Sequence, residues 1–240
     1  MIVQACLNGA RPADYHPQLP LTIETMVRDA LACIRAGASE IHVHPRDTDG
    51  NECLSAVDDL MIAIRRACPG TLVGVSTGEW IELDREATRR KIAAWRVCPD
   101  YASVNLSEPD APAIMSLLRN VGVGVEAGLA SVADAERFVA LPDCQRVHRV
   151  LIEIEEQNAR EAADVSEQIY ETLVREGIHR PVLLHGFDAT VWQFIEQARD
   201  RLWSTRIGFE DTRLRADGRP AGSNAELVAD AVHLMHSIPV

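Results

Sequence analysis

The residue pattern best suited to chemistry is a pair of histidines separated by one apolar residue, in the stretch Glu40-Ile41-His42-Val43-His44-Pro45. Residues i and i+2 of a β-strand point to the same side of a sheet, so the two imidazoles can share one metal ion. A lone histidine is more often a core or rim residue than a ligand. Two histidines at the end of one predicted strand, His42 and His44, favour a metal site.

The third ligand of such a site is best sought after the last predicted strand. Glu210 follows the predicted strand 205–209, and closure of a barrel brings that strand close to the first two. Two imidazoles and one carboxylate leave zinc with about one net positive charge and an open position, which suits the polarisation of a carbonyl. The same ligands also suit iron(II). Glu210 and Asp211 could instead be surface acids paired with Arg206 or Arg213.

Polar residues at other predicted strand ends extend the candidate site. Ser76 and Thr77 end the third predicted strand, and Ser103 and Asn105 share one side of the fourth. Their hydroxyl and amide groups could hold a substrate carboxylate, although small polar residues in barrel strands often only pack.

Several ionisable residues also lie near predicted strand ends, namely Glu126, Glu153, Glu155 and His185. We include Glu126 among the predicted substrate-binding residues. A structural salt bridge or a supporting contact is the alternative for each of the four.

The stretch Gly74-Val75-Ser76-Thr77-Gly78 matches the G-x-S-x-G pattern of a hydrolase nucleophile. That chemistry requires a helix that starts directly at the serine. The next predicted helix begins only near Asp84, so Ser76 is better interpreted as a hydroxyl at the rim.

A regular alternation of short apolar runs and amphipathic stretches positions these residues. The predicted strands cover 2–7, 40–45, 72–77, 101–106, 122–126, 150–154, 181–185 and 205–209. The predicted helices lie near 22–36, 54–68, 84–96, 111–119, 131–140, 159–176, 188–201 and 223–237. Thr22, Ser131 and Ser223 fit helix starts, and Gly37 and Gly177 fit helix ends.

Eight β-α units could form a closed barrel or an open doubly wound sheet. The open sheet normally has a glycine-rich phosphate loop after its first strand, whereas the first turn here reads Asn8-Gly9-Ala10-Arg11. The sequence therefore predicts an α/β fold with one domain, a (β/α)8 TIM barrel over residues 1–240. Chemistry is expected at the carboxyl ends of its strands.

Composition excludes several classes of function. The chain has 240 residues and a formal net charge of -12, which argues against a nucleic-acid partner. No apolar run reaches the roughly 20 residues of a membrane span and no leader peptide is evident, so we expect a cytoplasmic protein. The six cysteines have no paired spacing, which argues against a disulfide framework and a ribbon-type zinc site. Lys91, the only lysine, lies on a charged helix face, which disfavours Schiff-base chemistry.

Several short motifs follow one another along nearly the whole chain. The motifs are Cys6-Leu7-Asn8-Gly9-Ala10, His42-Val43-His44-Pro45-Arg46-Asp47 with Asp49-Gly50, Ser76-Thr77-Gly78, Arg206-Ile207-Gly208-Phe209-Glu210-Asp211, Asp217-Gly218 and Ser223-Asn224-Ala225-Glu226-Leu227-Val228. Each motif is weak alone, but their order and spacing together are specific, and in them the chain resembles the β-keto acid cleavage enzymes.

The resemblance implies a zinc-dependent reaction of a β-keto acid with acetyl-CoA that gives acetoacetate and a new acyl-CoA. By that resemblance His42, His44 and Glu210 hold one Zn²⁺ per chain. Asp211 is the base that removes a proton from the substrate, and Arg206 orients it and favours its charged form.

The resemblance also implies that Ser76 and Ser103 hold the substrate carboxylate or ketone, with a serine at 103 where threonine is familiar. A homo-oligomer, either a dimer or a tetramer, is expected.

Arg11 departs from the family pattern. A member that acts on an aminated substrate has a glutamate at this position. An arginine should repel an amine and pair with an anion, so we predict a β-keto acid with an anionic or polar tail.

Two other functions remain open at this point. One is a metal-dependent aldolase or hydrolase that uses the same three ligands without CoA. The other is a zinc-holding barrel that binds a small acid without converting it. Arg206 and Asp211 beside the ligands count against simple binding.

Overall fold

Eight parallel strands form a closed barrel in the order in which they occur in the chain. The structure is a computed structural model and describes residues 1–237, so the last three residues of the range 1–240 lie outside the described part. The strands are β1 (Val3–Cys6), β2 (Glu40–Val43), β3 (Leu72–Ser76), β4 (Tyr101–Asn105), β5 (Gly124–Leu129), β6 (Arg149–Ile154), β7 (Val182–Gly186) and β8 (Ser204–Ile207). The predicted (β/α)8 barrel is confirmed.

One helix of at least eight residues follows each strand. The helices are α1 (Ile23–Arg35), α2 (Val57–Ala67), α3 (Arg85–Ala93), α4 (Ala111–Asn120), α5 (Val132–Val139), α6 (Ala159–Arg175), α7 (Val191–Asp200) and α8 (Asn224–His236). Short 3₁₀ turns at Leu54–Ala56 and Asp188–Thr190 precede α2 and α7. These turns account for the predicted helices near 54–68 and 188–201 having been placed too early.

The local sequence sets the helix ends as expected. The hydroxyls of Thr22, Ser131 and Ser223 each accept a backbone N–H from the first turn of α1, α5 and α8. Gly37 and Gly177 follow α1 and α6 with φ of 109° and 67°, the left-handed region that glycine adopts without steric cost. α3 begins at Arg85, well after Ser76, which supports the interpretation of Ser76 as a rim hydroxyl.

β5 shows the largest difference from the predicted strands. The prediction ended it at Glu126, but the strand continues to Leu129, and Gly128 and Leu129 pair with Leu151 and Ile152 of β6. Glu126 therefore lies well inside the barrel and not at its rim.

The barrel interior near the amino-terminal ends of the strands contains a buried ionic cluster. Arg149 forms ion pairs with Glu40 (2.6 Å) and with Glu126, and its guanidinium lies 4.7 Å from the ring centroid of Tyr101. Gln4 donates a hydrogen bond of 2.7 Å to the Tyr101 hydroxyl. Since a buried charge must be paired, Arg149 compensates the charge of Glu126.

Closure between the first and last strands positions the candidate site. Val3 and Gln4 of β1 pair with Thr205 and Arg206 of β8, and Cys6 pairs with His42 of β2. The carboxyl ends of β2 and β8 consequently flank that of β1. Within residues 1–237 no helix combines the length and apolar character needed to cross a membrane.

Candidate active site

His42, His44 and Glu210 meet at the carboxyl end of the barrel. One ligand atom from each lies within 4.8 Å of the others. The distance from His42 Nε2 to Glu210 Oε2 is 3.8 Å, and that from His44 Nε2 to Glu210 Oε1 is 3.6 Å. The three residues predicted as metal ligands are therefore brought together.

The donor atoms of this cluster fit a divalent cation. Glu210 Oε2 is buried and has no hydrogen-bond partner among residues 1–237, and it faces His42 Nε2. A buried carboxylate oxygen without a donor is unfavourable unless a cation satisfies it. Two imidazole nitrogens and a carboxylate are ligands typical of catalytic zinc.

The surroundings favour an ionised Glu210 and a neutral His42. Burial raises the pKa of Glu210, but the charge of Arg206 and the two histidines outweigh it and hold the pKa well below its ordinary value. Burial lowers the pKa of His42 to about 4, which leaves its nitrogen lone pair available. Burial also opposes charge on His44, yet the carboxylates of Glu210 and Glu52 raise its pKa to about 9, so a metal ion would displace that proton.

The loop after β1 leaves room for Glu210, the third candidate ligand. Gly9 has φ of 55°, and a Cβ there would lie 2.4 Å from Cγ of Glu210. Asn8 next to it accepts the backbone N–H of His44 (2.9 Å) and donates to the carbonyl of His44 (3.1 Å). The Asn8-Gly9 pair therefore fixes the end of β2 and admits Glu210.

Arg206 joins the two acidic residues that follow β8. Its Nη2 donates to Glu210 Oε1 (2.6 Å) and Asp211 Oδ1 (2.7 Å), and its Nε donates to Asp211 Oδ1 (3.1 Å). Asp211 Oδ2 is buried and accepts no hydrogen bond from any described residue. One oxygen of Asp211 is thus held by the guanidinium, and the other keeps its lone pairs free.

His185 connects Asp211 with Glu153. Its Nδ1 lies 3.4 Å from Asp211 Oδ1, and its Nε2 lies 3.7 Å from Glu153 Oε2. Burial and Arg206 lower the pKa of His185, but the contacts with the two carboxylates outweigh them and raise it. The sequence placed His185 and Glu153 near strand ends without showing this contact.

A cavity of about 570 Å³ opens above these residues. Besides the three metal candidates, the predicted catalytic and substrate-binding residues that line it are Arg11, Ser76, Ser103, Asn105 and Arg206, and the strand-end acids Glu153 and Glu155 line it as well. Thr77, Glu126 and Asp211 do not line it. Thr77 donates to the carbonyl of Ser103 (2.7 Å), and Asp211 lies buried behind Arg206 and Glu210.

Residues 1–181 match the family model for the beta-keto acid cleavage enzyme. This match covers about three quarters of the chain and includes β1 to β6 with their loops. The chain belongs to this family.

Named relatives agree with the family over a shorter segment. The 3-keto-5-aminohexanoate cleavage enzymes of Acetoanaerobium sticklandii and Fusobacterium nucleatum are 40% and 36% identical to this chain over 81 residues. In each case the match covers 32% of this chain and spans 30% of the relative's length.

Solved structures share the barrel at low sequence identity. ObcA in its complex with oxaloacetate has a TM-score of 0.73 at 16% identity, over 89% of this chain and 62% of ObcA. Type I 3-dehydroquinate dehydratase from Clostridium difficile has a TM-score of 0.66 at 13% identity, over 99% and 93% of the two chains. These similarities concern the fold.

In this member of the family, Arg11 is already engaged by neighbouring groups. Its Nε donates to the carbonyl of Glu210 (3.0 Å), and its Nη2 lies 3.4 Å from Asp188 and 3.3 Å from the carbonyl of Asp211. The guanidinium also stacks on Tyr15, 4.5 Å from the ring centroid. Asp188 therefore competes for the Arg11 guanidinium with the anionic substrate group that we predicted from the sequence.

The sequence did not single out two further residues at the site, Glu52 and Trp80. Glu52 contacts the His44 ring, and Trp80 lines the cavity. A signal for Glu52 was present, because the Asp49-Gly50 pair is typical of a tight turn that folds the chain back beside β2. No pattern in the loop that follows β3 pointed to Trp80.

Proposed function

We propose that this chain is a zinc-dependent enzyme that exchanges acyl groups between a β-keto acid and acetyl-CoA. R-CO-CH2-COO⁻ and acetyl-CoA would give acetoacetate and R-CO-CoA, so that one C–C bond and one thioester C–S bond break and one of each forms. The observation that carries the proposal is the approach of His42, His44 and Glu210 to within 4.8 Å of one another, in a member of this family.

The metal ligands we propose are these three residues, which all line the cavity. A divalent ion held there supplies Lewis acidity that stabilises negative charge on a carbonyl oxygen. Asn8 and Gly9 hold the ligands in register, and Arg206 fixes the Glu210 carboxylate from the side opposite its free oxygen.

Ser76 and Ser103 are our candidates for binding the substrate carboxylate or ketone. They are register partners on β3 and β4, and both line the cavity. Thr77 supports them by its hydrogen bond to the Ser103 carbonyl, and Asn105 extends the same polar wall. Glu126 is too deep in the barrel to be included.

Asp211 is our candidate for the base that removes a proton from the carbon between the two carbonyl groups. Arg206 donates two hydrogen bonds to its Oδ1 and so orients the carboxylate, while Oδ2 remains without a donor. A general base needs such an oriented acceptor, and its hydrogen bonds often tighten only when substrate is bound.

The test of the reaction is acetoacetate formation from acetyl-CoA with a panel of β-keto acids. We expect product with the zinc-loaded protein, loss of product after chelation of the metal, and recovery on adding zinc back. Equimolar R-CO-CoA should accompany acetoacetate. Metal-loaded protein that forms no acetoacetate with any acid would contradict the proposal and favour an aldolase or hydrolase that needs no CoA.

The substrate tail that we propose is anionic or polar, with Arg11 as its partner. Asp188 limits this role in the free protein, so Asp188→Asn should release the guanidinium. We expect kcat/KM for a β-keto acid with a second carboxylate to rise about two- to fivefold relative to an uncharged acid, the range of a partly exposed ion pair.

The comparison of acids is made for the wild type, Asp188→Asn and Asp200→Asn. Asp200 is an exposed aspartate at the end of α7, where it contacts Arg199, and serves as the control. Preference for cationic tails in all three proteins would exclude the assignment of Arg11.

The homo-oligomer and the cytoplasmic location stay predictions. The acidic chain, with its formal net charge of -12, gives no reason to add a nucleic-acid partner.

A further inference from the structure

A small hairpin after β2 folds back over the candidate metal site. Asp47 N–H donates to the Asn51 carbonyl (2.8 Å), Cys53 N–H donates to the Pro45 carbonyl (2.8 Å), and Arg46 forms an antiparallel bridge with Glu52. The turn of this hairpin contains Gly50, with φ of 83°. The hairpin places Glu52 beside the ring of His44.

Arg46 fastens this hairpin to the loop after β1. Its Nη1 donates to the Gly50 carbonyl (2.8 Å), and its Nη2 donates to the carbonyls of Gly9 (2.7 Å) and Arg11 (3.1 Å). The buried Arg46 guanidinium therefore joins the hairpin that carries Glu52 to the loop after β1.

Glu52 uses its two oxygens for two different partners. Oε1 forms a short hydrogen bond with His44 Nδ1, the ring nitrogen on the far side from Glu210. Oε2 accepts the indole N–H of Trp80 (3.0 Å). A carboxylate on Nδ1 fixes the tautomer and the orientation of the ring, so that Nε2 carries the lone pair that a metal needs.

Trp80 packs over the same imidazole. The two rings are nearly parallel, at 24°, with centroids 6.4 Å apart. Gly78 makes this packing possible, because a Cβ there would lie 2.2 Å from the indole ring. The loop is also tied to the hairpin by Glu82, which accepts the backbone N–H of Leu54 (2.9 Å).

We propose that Glu52 is a positioning residue for the metal site: it holds His44 with Nε2 turned toward Glu210 and, through its second oxygen, fixes Trp80 as a wall of the cavity. The inference rests on the proposed metal site. It gives this chain a carboxylate–histidine pair, Glu52 with His44, in which the Trp80 indole N–H is the second hydrogen-bond donor to the carboxylate.

The test measures zinc affinity directly, without substrate, by competition between metal-free protein and a chromophoric chelator. Glu52→Gln can satisfy only one of the two donors with its single carbonyl oxygen, and we expect it to weaken zinc binding about 10- to 100-fold. Trp80→Phe keeps an aromatic ring but loses the indole N–H, and we expect a change of no more than about fivefold.

Glu52→Asp separates position from charge. It keeps the carboxylate but withdraws the oxygens by one methylene, so positioning predicts weaker zinc binding here too, whereas a purely electrostatic effect predicts wild-type affinity. Glu79→Gln is the matched control, because Glu79 precedes Trp80 and its side chain pairs with Arg85 (3.6 Å) and does not contact His44. We expect the control to bind zinc as the wild type does.

The visible spectrum of the cobalt(II)-loaded proteins gives a second readout. A tilted His44 ring changes the ligand field, so the absorption bands of Glu52→Gln should shift from those of the wild type and of Glu79→Gln. Wild-type affinity and unshifted bands in Glu52→Gln, or wild-type affinity in Glu52→Asp, would overturn the inference. A wild type that binds no metal would overturn the proposed metal site as well.

Discussion

Replacement of Asp211 by asparagine is expected to lower kcat for acetoacetate formation by about 10²- to 10⁴-fold, the usual contribution of a general base. Asparagine keeps the shape and can keep the contact with Arg206, but its amide cannot act as the base that we propose for the carboxylate, whose Oδ2 has no donor. Arg206 also keeps its ion pair with Glu210, so the variant should fold and bind zinc. Steady-state kinetics and metal content measure both statements.

The proton-transfer step can be isolated by leaving out acetyl-CoA. In D2O the wild type should exchange the protons between the two carbonyls of the β-keto acid faster than buffer does, and Asp211→Asn should not. Asp217→Asn is the matched control, since Asp217 lies in the following loop and pairs with exposed Arg219.

Glu153 provides the outcome that would contradict this assignment. It lines the cavity, whereas Asp211 lies behind the wall, and His185 stands between them. If Glu153→Gln abolishes exchange and Asp211→Asn retains it, the base is Glu153.

The second large effect is expected for Glu210→Gln. The amide preserves the volume and can still accept the hydrogen bond from Arg206, but it removes the anionic ligand. We expect zinc affinity to fall by more than about 100-fold, beyond the loss typical of outer partners, and acetoacetate formation to fall in parallel. Metal content after dialysis and chelator competition are the measurements.

Glu226→Gln is the control for this variant. Glu226 lies in the first turn of α8, and its carboxylate accepts the backbone N–H of Gly222 (2.9 Å) away from the cavity. Retention of zinc at wild-type affinity by Glu210→Gln would show that the metal is held elsewhere or that two histidines suffice.

The fold was predictable because strand and helix patterns are local. Continuous apolar runs, hydroxyl caps at Thr22, Ser131 and Ser223 and glycines after two helices marked the eight units correctly. Barrel closure then placed Glu210 near His42 and His44 without any three-dimensional information.

Positions that depend on strand length or on loop conformation were not predictable. Glu126 looked like a rim residue because the apolar run stops there. β5 nevertheless continues beyond it, and Gly128 is still paired with β4 and β6. The contact of Glu52 with both His44 and Trp80 arises from two loops that meet in space, and neither loop has a periodicity that reports this.

Because β8 pairs with β1, the candidate site can form only when the barrel closes. The hydrogen bond from Arg11 to the Glu210 carbonyl joins residues 199 positions apart, so Glu210 reaches the two histidines only after nearly the whole barrel has been synthesised. Contacts of such long sequence separation slow folding, because the entropy of closing the intervening chain is lost before the contact is gained. Newly made chains would therefore complete the proposed metal site only when the barrel closes, and until then the open edges of β1 and β7 would be exposed to pairing with other chains.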